Sequence, residues 1–124
     1  MFIPVLTAYL ELIRFGFHIR RRNFAALHSA VRNSRVHKQT PRCASVEKLC
    51  RAVDLACIWY CRNVLCLQRS AVTTCLLRHC GVKAKMAIGT QTLPFKAHAW
   101  TEVDGRPINE RRDVRTLYML LDRL

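Results

Sequence analysis

Acidic side chains are scarce in this chain of 124 residues, which holds 8 Asp and Glu against 21 Lys and Arg and has a formal net charge of +13. Such a surplus attracts acidic partners: nucleic acid, an anionic membrane or an acidic protein. Hydrophobic residues make up 51% of the chain, which excludes a disordered composition. One domain with a modest core is expected at this length.

The sequence also lacks any C-x-x-C pair, although it contains 7 cysteines. Cys43, Cys50 and Cys57 recur at a spacing that would put neighbours about 10 Å apart on one helix. That distance is too long for a disulfide. Buried free thiols in a reducing compartment are expected, which favours the cytoplasm. A zinc module is a weaker alternative, because His79, Cys80 and the other thiols lack ligand spacing, and no metal or other cofactor is expected.

No long uninterrupted apolar run is present. Glu11 and Arg14 interrupt the most apolar stretch, at the N-terminus, and no basic segment precedes it. Neither a signal peptide nor a membrane-spanning helix is therefore predicted.

Two apolar sets over residues 5–32 instead predict one or two amphipathic helices that cover the core. The sets are Val5, Leu6, Leu10, Ile13 and Phe17, followed by Phe24, Leu27 and Val31. Between them lies a basic cluster that includes Arg20, Arg21 and Arg22. Besides a solvated face, this cluster could serve attachment to a membrane surface or docking to a partner protein.

Local signals mark the ends of two further helices after a polar linker over residues 33–42. Ser45 is an N-cap residue for a helix that runs to about Cys61. A new helix begins near Cys66, and Gly81 stands where a left-handed C-cap belongs.

Alternating apolar residues then predict a small antiparallel sheet. Strands are expected over residues 82–88 and 95–103, joined by a turn over 89–94. Asp104-Gly105 is a strong hairpin signal, so residues 106–110 would form the return strand. The remaining tail is predicted to carry a short helix. The fold class is therefore α+β, with N-terminal helices, a helix packed on a small antiparallel sheet, and a short C-terminal helix.

Cys66 and His98 are the candidate reactive pair. The unpaired N–H groups and positive dipole end at the first turn of a helix favour a thiolate, and His98 is the histidine within a predicted strand. Strict pairing in the hairpin makes Asn109 the diagonal neighbour of His98 on the same face. A bulge at Pro107 would instead place Glu110 on the same face as His98, so Asn109 and Glu110 both remain candidates to orient the imidazole.

Three motifs carry a resemblance to a known family. They are CLQRS at residues 66–70, GVKAKMAIG at 81–89 and AHAWTEVDGRPINE at 97–110. Together they resemble the transglutaminase-like cysteine proteases that remove the leader peptide in lasso-peptide biosynthesis, including those that occur as a separate protease subunit. The family's Asp after Asn is Glu110 in this chain.

The resemblance implies a transglutaminase-like, papain-like fold with a helical portion over residues 1–61 and a catalytic portion over 62–124. It implies that Cys66 attacks the scissile carbonyl, that His98 is the acid and base, and that Glu110 or Asn109 orients it. The implied partners are a precursor peptide, a separate leader-binding protein and an ATP-dependent lasso cyclase. Nothing in the sequence resembles a nucleotide-binding loop.

Two rival functions remain. One is a basic nucleic-acid-binding protein, which the charge favours, although the Arg residues are scattered and no recognition motif is present. The other is a transglutaminase-like relative that is inactive or catalyses another acyl transfer.

Overall fold

The computed structural model of the protein describes residues 2–36, 45–60, 64–92, 95–108 and 118–124. In these residues four helices precede a four-stranded antiparallel sheet, which confirms the α+β class. The helices are α1 (Phe2–Arg20), α2 (Phe24–Asn33), α3 (Val46–Trp59) and α4 (Cys66–His79). The strands are β1 (Ala84–Thr92), β2 (Phe95–Val103), β3 (Arg106–Ile108) and β4 (Met119–Arg123). None of the described helices is both long enough and apolar enough to cross a bilayer.

Local sequence sets several of the helix ends. The Ser45 hydroxyl accepts a hydrogen bond from the Lys48 N–H at 3.4 Å, and the Asn23 side chain accepts one from the Ala26 N–H at 3.1 Å. Gly81 has φ +86° after α4, which confirms the predicted left-handed C-cap.

The face of α1 predicted to be buried is the wrong one. Ala8, Leu12 and Phe15 enter the core, whereas four of the five residues of the predicted stripe are exposed: Leu6, Leu10, Ile13 and Phe17. The buried side also carries Gly16, which the side chains of Tyr60 and Gln68 approach closely. A Cβ at Gly16 would lie 2.6 Å from the Tyr60 hydroxyl, a contact that only glycine permits.

The sheet has the strand order β3-β2-β1-β4. Strands β1 and β2 pair without interruption from Ala84↔Val103 to Thr92↔Phe95. The predicted turn over residues 89–94 is therefore too long, because β1 continues through Gly89 to Thr92. Glycine inside a strand often marks a close approach of another group rather than a turn.

The predicted C-terminal helix is wrong where the structure describes the tail. Residues 119–123 form β4, which pairs antiparallel with β1 and has a register shift between Ile88 and Gly89. Pairing satisfies main-chain groups that an open edge of β1 would leave without partners. A short apolar run does not by itself distinguish a strand from a helix. Residues 111–117 lie outside the described residues.

Arg78 joins the C-terminal half of α4 to three other parts of the chain. Its buried guanidinium donates to the main-chain oxygens of Val31 at 2.5 Å, Ala84 at 2.8 Å and Leu124 at 2.8 Å, and to the Ser34 hydroxyl at 2.9 Å. Burial lowers the pKa of Arg78 from its ordinary value. These bonds hold α4 against the end of α2, the start of β1 and the residue after β4.

Candidate active site

Cys66 is the first residue of α4, as predicted, and its side chain is exposed. The N-cap residue is Leu65, which carries no side-chain acceptor and makes no capping hydrogen bond. The N–H groups of the first turn are therefore not capped by this side chain. They can donate to an oxygen that develops negative charge beside the sulfur.

Two contacts made by residues just after Cys66 fix the first turns of α4. The buried Gln68 amide donates to the Leu12 carbonyl of α1 at 2.7 Å. Arg69 pairs with Asp54 of α3 at 2.8 Å. Gln68 has no predicted role, because its sequence position does not reveal that a polar side chain faces the core.

Side-chain hydrogen bonds align α4 with β2. The Ser70 hydroxyl donates to the Ala99 carbonyl at 2.8 Å, and the Thr74 and Thr101 hydroxyls lie 3.1 Å apart. Four residues of helix advance about 6 Å, and two residues of strand advance about 6.6 Å. The helix and the strand therefore run side by side in the same direction at this contact.

This alignment determines the level of Cys66 along β2. Cys66 is one turn before Ser70 on the same helix face, so it is level with Ala97, next to His98 in the strand. The two candidate reactive residues are thus at the same end of the contact between helix and strand.

The hairpin geometry indicates which edge of β2 meets α4. Val103 and Arg106 pair beside the two-residue turn, so the main-chain N–H and C=O of Val103 point towards β3. The same direction recurs at every second residue of β2, and the Ala99 carbonyl therefore also points to this edge. Ser70 binds the Ala99 carbonyl on that side, beyond Ile108, the last described residue of β3. Alternation along β2 directs the His98 imidazole away from the face of Thr101, whose hydroxyl contacts Thr74 of α4, so the imidazole points away from the face of β2 that contacts α4.

His98 lies on the sheet face opposite the one that carries Ala99 and Thr101. It pairs with Gly89 across β1, and its ring stacks with Trp100 at 6.0 Å and with Tyr118 at 5.3 Å between ring centroids. A Cβ at Gly89 would lie 2.7 Å from the Trp100 ring. The absence of a side chain at Gly89 therefore makes room for the ring that stacks with the imidazole.

A buried carboxylate holds Trp100 in turn. Glu102 accepts a hydrogen bond from the Trp100 indole at 3.0 Å and pairs with Arg123 of β4 at 2.7 Å. Alternation along β2 places Glu102 on the His98 face, but the sequence gives it no partner there, because the tail that contains Arg123 is predicted to be helical. The pairing of β4 with β1 is what brings Arg123 to Glu102.

The hairpin that would carry the orienting group is regular as far as it is described. Asp104 and Gly105 both have positive φ, at 53° and 75°, and Glu102 pairs with Pro107 without a bulge. Asn109 and Glu110 lie outside the described residues. The choice between them therefore stays a prediction.

The other described cysteines differ from Cys66. All five that the structure describes are free thiols: Cys50, Cys57, Cys66, Cys75 and Cys80. Burial raises the pKa of the Cys50, Cys57 and Cys75 thiols above the ordinary value. In the part of the chain that is described, no three His, Cys, Asp or Glu side chains are grouped to hold a metal ion.

An exposed thiol at a helix N-terminus, level with a histidine on the adjacent strand, is an arrangement of papain-like and transglutaminase-like thiol enzymes. A family model described as the transglutaminase-like superfamily matches residues 9–121, and the chain belongs to that superfamily. Its members are generally cysteine peptidases or acyltransferases. Searches of curated proteins and of solved structures gave no significant match.

Proposed function

We propose that this protein is a cysteine protease that removes the leader peptide from a lasso-peptide precursor. The observation that carries the proposal is the exposed Cys66 at the uncapped start of α4, level with the strand that carries His98. Membership of the superfamily supports thiol acyl chemistry. The motifs over residues 66–70, 81–89 and 97–110 support the narrower assignment to leader removal.

The proposed reaction has two stages. The Cys66 thiolate attacks the scissile carbonyl, first-turn N–H groups of α4 stabilise the oxyanion, and His98 gives its proton to the departing amine. Water, activated by His98, then attacks the thioester, releases the leader as a carboxylic acid and regenerates the thiol. The orienter of the imidazole is Glu110 or Asn109.

Variants of the two reactive residues test the reaction. Cys66→Ala and His98→Ala should each lower precursor cleavage by several orders of magnitude while the circular dichroism spectrum stays unchanged. Cys75→Ala and Cys50→Ala are the matched controls and should keep turnover. Equal loss in a folded control variant would refute Cys66 as the nucleophile.

The orienter is tested by comparing Glu110→Gln with Asn109→Ala. A regular hairpin predicts the larger loss of rate in Asn109→Ala, and a bulge in the return strand predicts it in Glu110→Gln. Near-normal rates in both variants would exclude a third catalytic group.

We also propose that the protease acts with a separate leader-binding protein, upstream of an ATP-dependent cyclase that closes the ring. The exposed arginines favour an acidic partner or leader: Arg14, Arg20, Arg21, Arg22, Arg32 and Arg35. Adding the binding protein should greatly accelerate cleavage at low salt, and screening at high salt should remove that gain. Replacing residues 20–22 by Ser should reduce the gain but spare the basal rate. Full activity of the isolated chain, insensitive to salt, would contradict the partnership.

The superfamily also includes acyltransferases, so transfer to an amine is the second candidate. Mass spectrometry of the products distinguishes the two, because hydrolysis leaves a leader carboxylate and transfer leaves a leader amide. A protein that bound duplex DNA and did not process the precursor would favour the nucleic-acid alternative.

A further inference from the structure

Helix α1 carries two apolar faces on opposite sides. Ala8, Leu12 and Phe15 are fully buried against the other helices. On the opposite side, an exposed seam is formed by Leu6 (47% exposed), Leu10 (57%), Ile13 (47%) and Phe17 (54%). At about 100° per residue these four side chains fall within an arc of about 60°. Single exposed apolar residues are ordinary, but a continuous row over about three turns indicates a binding surface.

The shape of the seam favours a helix as its occupant. The spacing of Leu6, Leu10, Ile13 and Phe17 is the alternating four- and three-residue spacing of the a and d positions of a heptad. Such a narrow stripe is typical of helix–helix contact, whereas a helix that lies in a membrane surface has a broader apolar face. The seam is about 17 Å long, at about 1.5 Å per residue.

The charge beside the seam favours an acidic occupant. With Leu10 and Phe17 as a positions, Arg14 occupies an e position, where coiled coils form interhelical ion pairs, and Arg21 directly follows the last residue of α1. Arg14 also pairs with Glu11 of its own helix at 3.0 Å, at the exposed surface where a partner carboxylate can compete. The Arg21 guanidinium lies 4.8 Å from the centroid of the Phe17 ring, at the border of the seam. An antiparallel second copy would oppose these arginines to each other, and each copy carries +13. Self-association is therefore disfavoured.

We propose that the exposed seam of α1 docks an amphipathic helix of a partner protein, with apolar a and d residues and acidic residues beside them. Leu6, Leu10, Ile13 and Phe17 contact its apolar stripe, and Arg14 and Arg21 pair with its carboxylates. The docking does not depend on the reaction at Cys66, so it can be measured with the Cys66→Ala protein and judged apart from the protease proposal.

The test uses two synthetic helical peptides of four heptads with Leu at a and d. One has Glu at e and g, and the other has Lys there. Fluorescence anisotropy with the full chain should show the Glu peptide binding at least tenfold more tightly than the Lys peptide. Raising the salt concentration from 0.05 to 0.5 M should weaken binding of the Glu peptide several-fold, because the ion pairs are exposed.

A variant of the seam provides a second test of the proposal. Leu10→Ser with Ile13→Ser should weaken binding of the Glu peptide at least tenfold without changing the circular dichroism spectrum. Ile58→Ser, at a residue of α3 that is 74% exposed, is the matched control and should bind normally. Equal binding by seam variant and wild type, or no binding of the Glu peptide, would overturn the proposal. The proposal would also be overturned if the wild-type chain formed a homodimer that the seam variant does not form. The same holds if the seam bound phosphatidylserine vesicles but not the Glu peptide.

Discussion

Cys66 differs from Cys50, Cys57 and Cys75 in how readily a reagent can reach the sulfur, because Cys66 is exposed whereas the other three are partly or fully buried. Cys50, Cys57 and Cys75 have raised pKa values, chiefly because burial penalises the charged form. At any pH below a raised pKa, a smaller fraction of the thiol is ionised. Cys66 is exposed.

Iodoacetamide should therefore alkylate Cys66 first in the native protein, at least about tenfold faster than Cys50, Cys57 or Cys75. The labelling of Cys50, Cys57 and Cys75 should rise at higher pH than that of an ordinary thiol, because their pKa values are raised. Peptide mass spectrometry at several times and pH values measures both effects. Similar rates for all sites are expected in denaturant. If Cys75 were labelled as fast as Cys66 in the native protein, burial would not account for a difference in their reactivity, and the prediction would be wrong.

Gly89 tests the aromatic support of His98. In Gly89→Ala the new Cβ would lie 2.7 Å from the Trp100 ring and 2.9 Å from the Tyr118 Cβ, so the rings that stack with His98 must move. We expect kcat to fall by about tenfold to a hundredfold, with KM little changed, because the imidazole is misplaced. Adding Trp100→Phe, which has a smaller ring, should restore part of kcat. A folded Gly89→Ala protein with normal kcat would contradict this role.

At the scale of elements, the position of the Cys66 turn depends on close contact between α1, α3 and α4. An added Cβ at Gly16 would lie 2.6 Å from the Tyr60 hydroxyl and 2.9 Å from the Gln68 amide nitrogen. That amide is itself bonded to the Leu12 carbonyl. A shift of the amide away from residue 16 would strain this bond.

Gly16→Ala should therefore destabilise the protein by about 1–2 kcal/mol, although alanine ordinarily stabilises a helix interior by up to about 1 kcal/mol. Urea unfolding measures the change in the free energy of unfolding. Tyr60→Phe in the same chain removes the closest atom and should recover part of the loss. A stabilised Gly16→Ala variant would mean that the three helices are not in close contact at this point.

At the scale of the whole molecule, Arg78 links α4 to α2, to β1 and to Leu124. Arg78→Met should lower the free energy of unfolding by at least about 3 kcal/mol, because it removes the buried hydrogen bonds of a charged donor to the oxygens of Val31, Ala84 and Leu124. Arg69→Met is the matched control. It removes a half-exposed pair with Asp54 and should cost no more than about 1 kcal/mol. Equal losses in the two variants would exclude Arg78 as the link.

Much of the architecture could be predicted because its signals are local. The Ser45 cap, the Gly81 cap, the start of α4 at Cys66 and the Asp104-Gly105 turn each depend on a few neighbouring residues, and the structure confirms them. The regular pairing of Val103 with Arg106 follows from that turn. The division at residues 61 and 62, and the roles of Asn109 and Glu110, remain predictions.

The tertiary structure decided what local signals leave open. Sequence shows that α1 has apolar side chains on more than one side, but only packing against the other helices shows that the side with Ala8, Leu12, Phe15 and Gly16 is the buried one. Likewise, the apolar tail becomes β4 because β1 offers an edge that needs hydrogen-bond partners, and that pairing brings Arg123 to Glu102. The sequence by itself determined that Cys66 begins a helix and that His98 lies in a strand. Only the contacts of Ser70 and Thr74 with β2 bring them to the same level, because such contacts join residues about 30 positions apart.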